Sequence, residues 1–175
     1  LWTTPLQEVW DRLKGHPTLN NVAEVHRGIE FSLPLDDAHR DRLVSPTQRS
    51  GFVKGLHLVR DHLAEAFMLK GHVWLNVSEK VMRGKAHLLP WHEPKVIING
   101  ARVSRGPWRL IASPDASGLV CYQRFHGVWS RGSWPINVLA AVLNGPVANA
   151  YVRDHEASRD NRIVTVEGLP APALD

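Results

Sequence analysis

The sequence predicts an α+β fold, in which a twisted mixed or antiparallel sheet carries a C-terminal helix pair and an N-terminal connector helix. Three observations predict it. An amphipathic helical segment opens the chain, short β-branched or aromatic segments follow between turn residues, and an apolar run near the C terminus is broken by Gly145-Pro146. With 175 residues and 43% hydrophobic residues, the chain is long enough to bury a core.

The first predicted element is a helix at the N terminus. Thr4 begins a capping box, and apolar residues recur at helical spacing over residues 6–13. The chain begins with Leu1 rather than methionine, so we expect a fragment of a longer protein. We therefore divide the sequence into a connector helix, residues 1–18, and a domain, residues 19–175.

The middle of the chain predicts one sheet. Residues 22–29 are strand-like, residues 34–50 predict a polar loop, and residues 56–69 fit either a helix or strands. Short β-branched or aromatic segments bounded by turn residues predict further strands at 72–77, 95–99, 108–113, 119–122 and 163–166.

The C-terminal part predicts two consecutive helices. Residues 136–143 are apolar at helical spacing, and Gly145 and Pro146 end this helix and allow a second one to about residue 152. The prolines of residues 169–172 predict an extended close.

The composition argues against several protein classes. A single cysteine, Cys121, excludes an internal disulfide framework and a cysteine-rich zinc module, and it fits a reducing cytoplasm. Cys121 lies in an apolar segment, so we expect a buried core thiol. Residues 136–152 carry no charge, but they contain three asparagines and a Gly-Pro pair and are too polar for a membrane span.

Positive charge is concentrated in the middle of the chain. Residues 80–135 contain nine Lys or Arg side chains and two acids, whereas the whole chain carries a net charge of only +4. A local excess of this kind indicates a surface that faces a polyanion, although a solvated basic face without a partner is the simpler alternative.

The densest basic cluster lies in a predicted loop, residues 99–109. Arginine donates two hydrogen bonds to the acceptor pair of guanine in the major groove, whereas serine and lysine suit phosphates. The candidate DNA contacts here are Arg102, Arg105, Arg109, Ser104 and, in the preceding strand, Lys95. The alternative is a tight hairpin whose arginines stack on tryptophans, and Trp108 itself is expected in the core.

A second candidate loop, residues 125–134, contains two tryptophans beside basic residues and glycines. These tryptophans either form a DNA-facing edge or seal the sheet. The candidate DNA-binding residues outside the first loop are Arg124, His126, Arg131, Arg27 and Lys54. For the last two, ordinary solvated charge is the simpler interpretation.

No enzyme motif is found. The sequence has no glycine-rich dinucleotide loop, no phosphate-cradling loop and no His-Glu-x-x-His pattern, so we expect no catalytic, cofactor or metal site in this chain. Two alternatives to DNA binding stay open. One is a protein-docking module whose arginines face an acidic partner, and the other is a small metal-dependent nuclease that uses Asp115 and Glu93.

Four segments carry a resemblance to a known family. Residues 19–29, residues 94–119, the run around Asn144-Gly145-Pro146 and the closing Leu169-Pro170-Ala171-Pro172 resemble the target-recognition domains of bacterial adenine-specific DNA methyltransferases and restriction–modification proteins, fused type II or type I-like. The resemblance covers residues 19–172, and it favours a strand at 56–59.

The resemblance implies a DNA-reading domain without its own chemistry. In such proteins a separate domain carries an Asn-Pro-Pro-aromatic motif and binds S-adenosylmethionine, and neither that motif nor a methyl-donor loop is present here. We therefore expect a non-catalytic, bacterial cytoplasmic domain that binds double-stranded DNA. It would position the DNA for base flipping into a methyltransferase domain of the same or an associated chain. The opening helix and the helix pair would pack the core or dock to that catalytic domain.

Overall fold

A computed structural model describes residues 6–63, 68–103, 108–132 and 134–172. It has the predicted α+β fold, with two four-stranded sheets rather than the single expected sheet. The strands are β1 (Ala23–Arg27), β2 (Glu30–Phe31), β3 (Val44–Ser45), β4 (Phe52–Leu56), β5 (Val73–Asn76), β6 (Met82–Arg83), β7 (Lys95–Asn99), β8 (Ala112–Asp115), β9 (Val120–Cys121) and β10 (Phe125–Ser130). The helices are α1 (Gln7–Leu13), α2 (Leu19–Val22), α3 (Arg40–Leu43), α4 (Val59–His62), α5 (Ile136–Asn144), α6 (Pro146–His155) and α7 (Ile163–Glu167).

The main sheet is antiparallel and has the strand order β1-β10-β7-β8. Its central strand β7 is buried along its whole length. Val96 and Ile98 pack against α5, α6 and α7, whereas Ile97 packs on the opposite face against the second sheet. Since both faces of the main sheet are covered, the uninterrupted apolar run of β7 replaces the alternation of a half-exposed strand.

The second sheet has the order β3-β5-β4-β9, and β4 pairs with β9 in parallel. Leu56 and Leu75 are buried in a core that they share with Trp129 and Phe125 of the main sheet. A short ribbon of β2 and β6 completes the strands of the described residues. The molecule therefore has three layers: the C-terminal helices, the main sheet and the second sheet.

The free edge of the main sheet is covered by asparagines of the helix pair. The Ala112 N–H donates to Asn144 Oδ1 at 2.8 Å, and Asn144 Nδ2 donates to the Ala112 carbonyl at 2.7 Å, as a neighbouring strand would. Asn149 Oδ1 accepts from the N–H groups of Arg109 and Leu110, both at 2.7 Å. The Asn-Gly-Pro helix pair singled out in the sequence thus satisfies buried backbone groups of β8 and of the residues before it.

The connector helix α1 packs onto the domain. Trp10 is buried, its Nε1 donates to Asp154 on α6 at 2.6 Å, and its ring meets the Tyr151 ring edge-on. An isolated antiparallel β-bridge between Thr18 and Pro170 joins the two ends of the domain. Pro170 belongs to the extended C-terminal segment that the prolines predicted. The predicted helix cap Thr4 lies outside the described residues.

Several predicted elements differ from the structure. Residues 163–166 form helix α7, because a helical turn places Thr165 and Val166 in the core and leaves Val164 exposed. The strand expected at 108–113 is β8, displaced toward the C terminus. The strand expected at 56–59 ends at Leu56, and the polar loop 34–50 contains α3 and β3.

The second candidate loop, 125–134, is the interior strand β10 for most of its length. Gly127 permits this packing, because a Cβ at this position would lie 2.3 Å from the Trp129 ring. Trp129 and Trp134 are buried, so the tryptophans seal the sheet instead of facing a ligand. Cys121 is a buried thiol, as predicted, and burial raises its pKa. In the described part of the chain, no helix is long and apolar enough to cross a membrane.

A buried ion pair links β7 to β8. Lys95 is 0% exposed, and its Nζ donates to Asp115 Oδ2 at 2.6 Å and to the Trp91 carbonyl at 2.7 Å. Asp115 also accepts from the N–H and hydroxyl of Ser117 and from the Leu119 N–H. Burial alone would raise the pKa of Asp115, but the hydrogen bonds from Lys95 and Ser117 outweigh burial and lower it.

Breaking this pair should destabilise the fold strongly. Lys95→Met leaves the Asp115 carboxylate buried without its cation, and we expect the free energy of unfolding to fall by about 3–5 kcal/mol. Urea denaturation measures this change. The double variant Lys95→Met with Asp115→Asn removes both charges and should recover a large part of the loss; equal instability of both variants would contradict the ion-pair explanation.

Candidate nucleic-acid interface

Arginines collect at one end of the main sheet, where β1 and β7 end and β10 begins. We call this group the arginine edge; its members are Arg27, Arg102, Arg124, Arg159 and Arg162. All are exposed except Arg102, which is half-buried. Two acids lie near these guanidinium groups, the exposed Asp160 and the buried Glu156. The local potential is therefore positive.

Backbone hydrogen bonds bring these distant segments together. The Gly100 N–H donates to the Arg124 carbonyl at 2.7 Å, which joins the end of β7 to the start of β10. The Arg102 N–H donates to the Arg159 carbonyl and the Asn161 N–H to the Gly100 carbonyl, both at 2.9 Å. The segment after β7 thus pairs with the loop between α6 and α7, and this pairing places their arginines side by side.

A recess of about 250 Å³ lies within the arginine edge. Its lining includes three arginines, Arg27, Arg124 and Arg162, together with His126 and one acid, Asp160. A concave wall that carries several cations concentrates the field inside the recess, so the arrangement suits an anionic group such as a phosphate.

The arginines of the edge differ in how they are held. Arg27 Nη2 donates to Gln123 Oε1 at 2.8 Å, and Arg162 Nε donates to Glu156 Oε2 at 2.7 Å. The side chains of the other three form no hydrogen bond or ion pair with any described residue. Their donors are consequently available to a ligand.

Arg109 lies beneath the edge as an internal support. It is 4% exposed, and its Nη1 donates to the Glu156 carbonyl at 3.3 Å. Its Nη2 donates to the Ser158 carbonyl at 3.0 Å and to Asn161 Oδ1 at 3.4 Å. Burial and the nearby Arg102 charge lower the pKa of Arg109, although an arginine remains charged at neutral pH. Arg109 therefore attaches the loop that carries Arg159 and Arg162 to the main sheet.

Asparagines complete this support. Asn161 Nδ2 donates to the carbonyls of Asn99 at 3.0 Å and Arg109 at 3.2 Å. Asn99 Oδ1 accepts from the Ile111 N–H at 2.7 Å. Because these groups are buried and bonded, displacing the loop would leave several buried polar atoms without partners.

The Glu156 carboxylate is the acidic anchor of the same loop. Its oxygens accept hydrogen bonds from Arg162, from the Ser158 hydroxyl at 2.9 Å and from the Thr165 hydroxyl at 3.0 Å. Burial alone would raise the pKa of Glu156, but these bonds outweigh burial and lower the pKa to about 2. The loop is therefore held by an ionised carboxylate.

His126 forms part of the recess wall. It is buried, and burial is the main reason why its pKa is lowered, so the ring is neutral near pH 7. Its Nε2 lies 2.9 Å from the Asn161 carbonyl, which makes Nε2 the protonated nitrogen and Nδ1 an acceptor. Nδ1 has no partner among the described residues. His126 thus supports the loop, and it is not a cation for a phosphate.

The structure brings together three of the predicted contacts, Arg27, Arg102 and Arg124, and corrects others. Lys95 and Arg109 are buried core residues, with the Lys95 Nζ and both Arg109 Nη atoms hydrogen-bonded inside the protein, so neither is part of the surface. Their long, charged side chains are buried because partners distant in sequence receive them.

The remaining predicted contacts lie elsewhere. Arg131 is at the opposite end of the main sheet, where it pairs with Glu24 at 3.2 Å. Lys54 is on the second sheet, with its Nζ 5.9 Å from the centre of the Trp74 ring. Ser104 and Arg105 lie outside the described residues. Trp108 was expected in the core but is 41% exposed.

Sequence reasoning missed Arg159 and Arg162. Both lie in the polar stretch Arg159-Asp160-Asn161-Arg162, a basic pair in a short connection between two apolar segments. The two arginines in a short polar connection could have indicated a basic surface loop. The composition did not show that this loop folds back against the end of β7.

The geometry gives no support to a metal-dependent nuclease at Asp115. Both carboxylate oxygens of Asp115 are occupied by internal donors. Among the described residues, no group of three or more His, Cys, Asp or Glu side chains is arranged to hold a metal ion.

Comparisons with protein-family models and with curated proteins find no match to this chain.

Replacing Arg109 should release the loop that it holds. Arg109→Met leaves two carbonyls and the Asn161 amide without a donor, so we expect about 2 kcal/mol less free energy of unfolding. The amides of Arg102 and Asn161 should also exchange faster with deuterium. Arg153→Met, at an exposed position of α6, is the control. Unchanged amide exchange in Arg109→Met would contradict the supporting role.

The Glu156 anchor makes stability depend on acid pH. Since the folded pKa of Glu156, about 2, lies below the ordinary glutamate pKa of 4.5, the unfolded chain takes up a proton first as the pH falls. The contribution of Glu156 is complete above pH 4.5 and declines as the pH falls toward 2. Chemical denaturation at several pH values should show a flatter decline for Glu156→Gln. Parallel curves for both proteins would remove Glu156 from this role.

Proposed function

We propose that this chain is a sequence-specific double-stranded DNA-binding domain, the target-recognition domain of a bacterial adenine-specific DNA methyltransferase or restriction–modification protein. One observation carries the proposal. At the arginine edge, the side chains of Arg102, Arg124 and Arg159 have no carboxylate or other hydrogen-bonding partner in the described part of the chain, and Arg124 lines a recess together with Arg27 and Arg162. Planar guanidinium groups with free donors suit both phosphates and the guanine edge.

The edge divides into two kinds of contact. Arg27 and Arg162 are fixed by Gln123 and Glu156, so their remaining donors are preorganised for phosphate oxygens. Arg102 and Arg124 are unbound and adaptable, and we assign them to base edges in the major groove. Ser104 and Arg105 lie two and three residues after Arg102 in the sequence and remain predicted members of the same surface.

Charge neutralisation accounts for affinity in this proposal. Each phosphate that is neutralised releases counterions, so affinity falls steeply with salt. Arg109 takes no part in contact but keeps the loop with Arg159 and Arg162 in place. The rigid support limits the entropy that the arginines lose on binding.

In this proposal, another domain catalyses the methyl transfer. The resemblance implies that a methyltransferase domain, in the same or an associated chain, binds S-adenosylmethionine and receives the adenine that is rotated out of the duplex. The present chain binds the DNA and sets its position in the bacterial cytoplasm, and it has no catalytic residue of its own.

A protein-docking module is the second candidate, and an apolar groove favours it. The groove has a volume of about 370 Å³ and lies where α5 meets α6, with Leu13, Val142, Pro146 and Pro170 in its lining. Under the main proposal this face adjoins the catalytic domain. Under the alternative it takes another protein, and the arginines contact acidic residues of that protein.

Duplex binding tests the main proposal. A cognate site is first selected from random duplexes with the full chain. Arg124→Ala and Arg102→Ala should then weaken cognate binding by about 1–3 kcal/mol if these residues read bases, with a smaller effect on unrelated duplexes. Arg131→Ala, at the far end of the main sheet and paired with Glu24, is the matched control.

Salt titration separates the two candidates. We expect the logarithm of the duplex association constant to fall with a slope of about −0.9 for each phosphate contacted, and Arg159→Ala should reduce that slope by about one contact. Failure of the chain to retard any duplex at low salt would reject the proposal. It would leave the protein-docking module as the better candidate.

A further inference from the structure

The outward face of the second sheet carries aromatic and basic side chains at neighbouring positions. Lys54 on β4 lies directly opposite Trp74 on β5. Two residues earlier on β4, Phe52 lies opposite Asn76, on the same face of the sheet. Phe52 and Trp74 are half-buried, whereas Lys54 is exposed. We call Phe52, Lys54 and Trp74 the Trp74 face.

One cation lies beside each ring of this face. Lys54 Nζ lies 5.9 Å from the centre of the Trp74 ring, and the Arg49 guanidinium lies 6.0 Å from that of Phe52. The His72 ring meets Trp74 edge-on at 5.6 Å. Contacts of this length between a cation and a half-buried ring are weak, so a ligand with stronger acceptors can draw Lys54 away from Trp74. Arg49 is also held by a hydrogen bond from its Nη1 to the Asp41 carbonyl at 2.7 Å, and its other donors are the ones that a ligand would meet.

An open hollow of about 620 Å³ adjoins the Trp74 face. Lys54, His72, Leu69 and Ser117 contribute to its lining. The acid that also lines it, Asp115, has both oxygens bound by internal donors and so offers little repulsion to an anion. The hollow therefore has space for a ligand beside the Lys54 ammonium group and near the Trp74 indole ring.

We propose that the Trp74 face is a binding site for single-stranded DNA. Unpaired bases stack on Trp74 and Phe52, while Lys54 and Arg49 contact the intervening phosphates. A duplex cannot use this arrangement, because its bases are already stacked and only their edges are accessible. An acidic protein segment would satisfy the cations but would leave the rings without a flat partner, so the mixture of rings and cations favours a nucleic acid strand.

This site is separate from the arginine edge and does not depend on the function proposed for that surface. The Trp74 face belongs to the second sheet, whereas the arginine edge lies at one end of the main sheet. Each surface can therefore be altered without touching the other.

Anisotropy titrations with the full chain test the proposal. The probes are a fluorescent single-stranded oligothymidylate, an oligomer of equal length whose sugars lack bases, and a duplex. We expect Trp74→Ala to weaken oligothymidylate binding at least ~5-fold and Trp74→Phe to retain most of it, because a phenyl ring still stacks on a base. Trp74→Ala should not change binding of the base-free oligomer or of the duplex.

The charge contribution is measured in the same assay. Lys54→Gln should reduce the salt slope of oligothymidylate binding by about 0.7, the value for one contact to a single strand. Arg124→Ala serves as the control, and it should leave oligothymidylate binding unaltered even if it abolishes duplex binding.

Three results would overturn the proposal. Trp74→Ala could bind oligothymidylate as tightly as the wild-type chain does, or it could lose affinity for the base-free oligomer as much as for oligothymidylate. Alternatively, Arg124→Ala could lose as much oligothymidylate affinity as Trp74→Ala does. A thermal melt of each variant shows whether it is folded. If Trp74→Ala does not fold, Trp74→Leu replaces it and should show the same loss, since leucine fills space but offers no ring.

Discussion

The buried guanidinium of Arg109 is the attachment on which the position of the arginine edge depends. A charged group in the interior needs hydrogen-bond acceptors in place of water. The two Nη atoms of Arg109 find them in the Glu156 and Ser158 carbonyls and the Asn161 side-chain oxygen, whereas its Nε has no partner among the described residues. Those acceptors belong to the loop between α6 and α7. The loop is therefore fixed to the main sheet, and its exposed arginines keep a constant position beside the ends of β7 and β10.

Charge is used in two different ways in this molecule. Lys95 and Asp115 are buried and paired, and their attraction has to offset the loss of hydration of both ions. The exposed arginines of the edge carry no such requirement, because water solvates them at little cost. Leaving them without carboxylate partners sacrifices little stability, since an exposed ion pair contributes only about 0–1 kcal/mol. It preserves their donors for a ligand.

The two sheets present different chemistry to solvent. The main sheet is covered on both faces and offers only its ends, where turns and loops carry arginine. The second sheet is covered on one face, and its outward face carries Trp74 and Lys54. The chain between β9 and β10 passes directly from one sheet to the other, and it holds Gln123 and Arg124 at the arginine edge. Neighbouring parts of one small fold thus present different arrangements of side chains to solvent.

Local pattern by itself determined the α+β class, the connector helix, strand β7 and the helix pair, because each depends on the order of apolar residues along a short segment. It also located the excess of positive charge. The tertiary structure alone decided which basic side chains are accessible. Arg109 is buried by partners up to 52 residues away, and Lys95 by Asp115, 20 residues away. Residues 163–166 were predicted as a strand from their β-branched side chains, yet they form a helix because that turn brings Thr165 to Glu156 and Val166 into the core. Such outcomes depend on contacts between distant segments, and no short segment contains the information that specifies them.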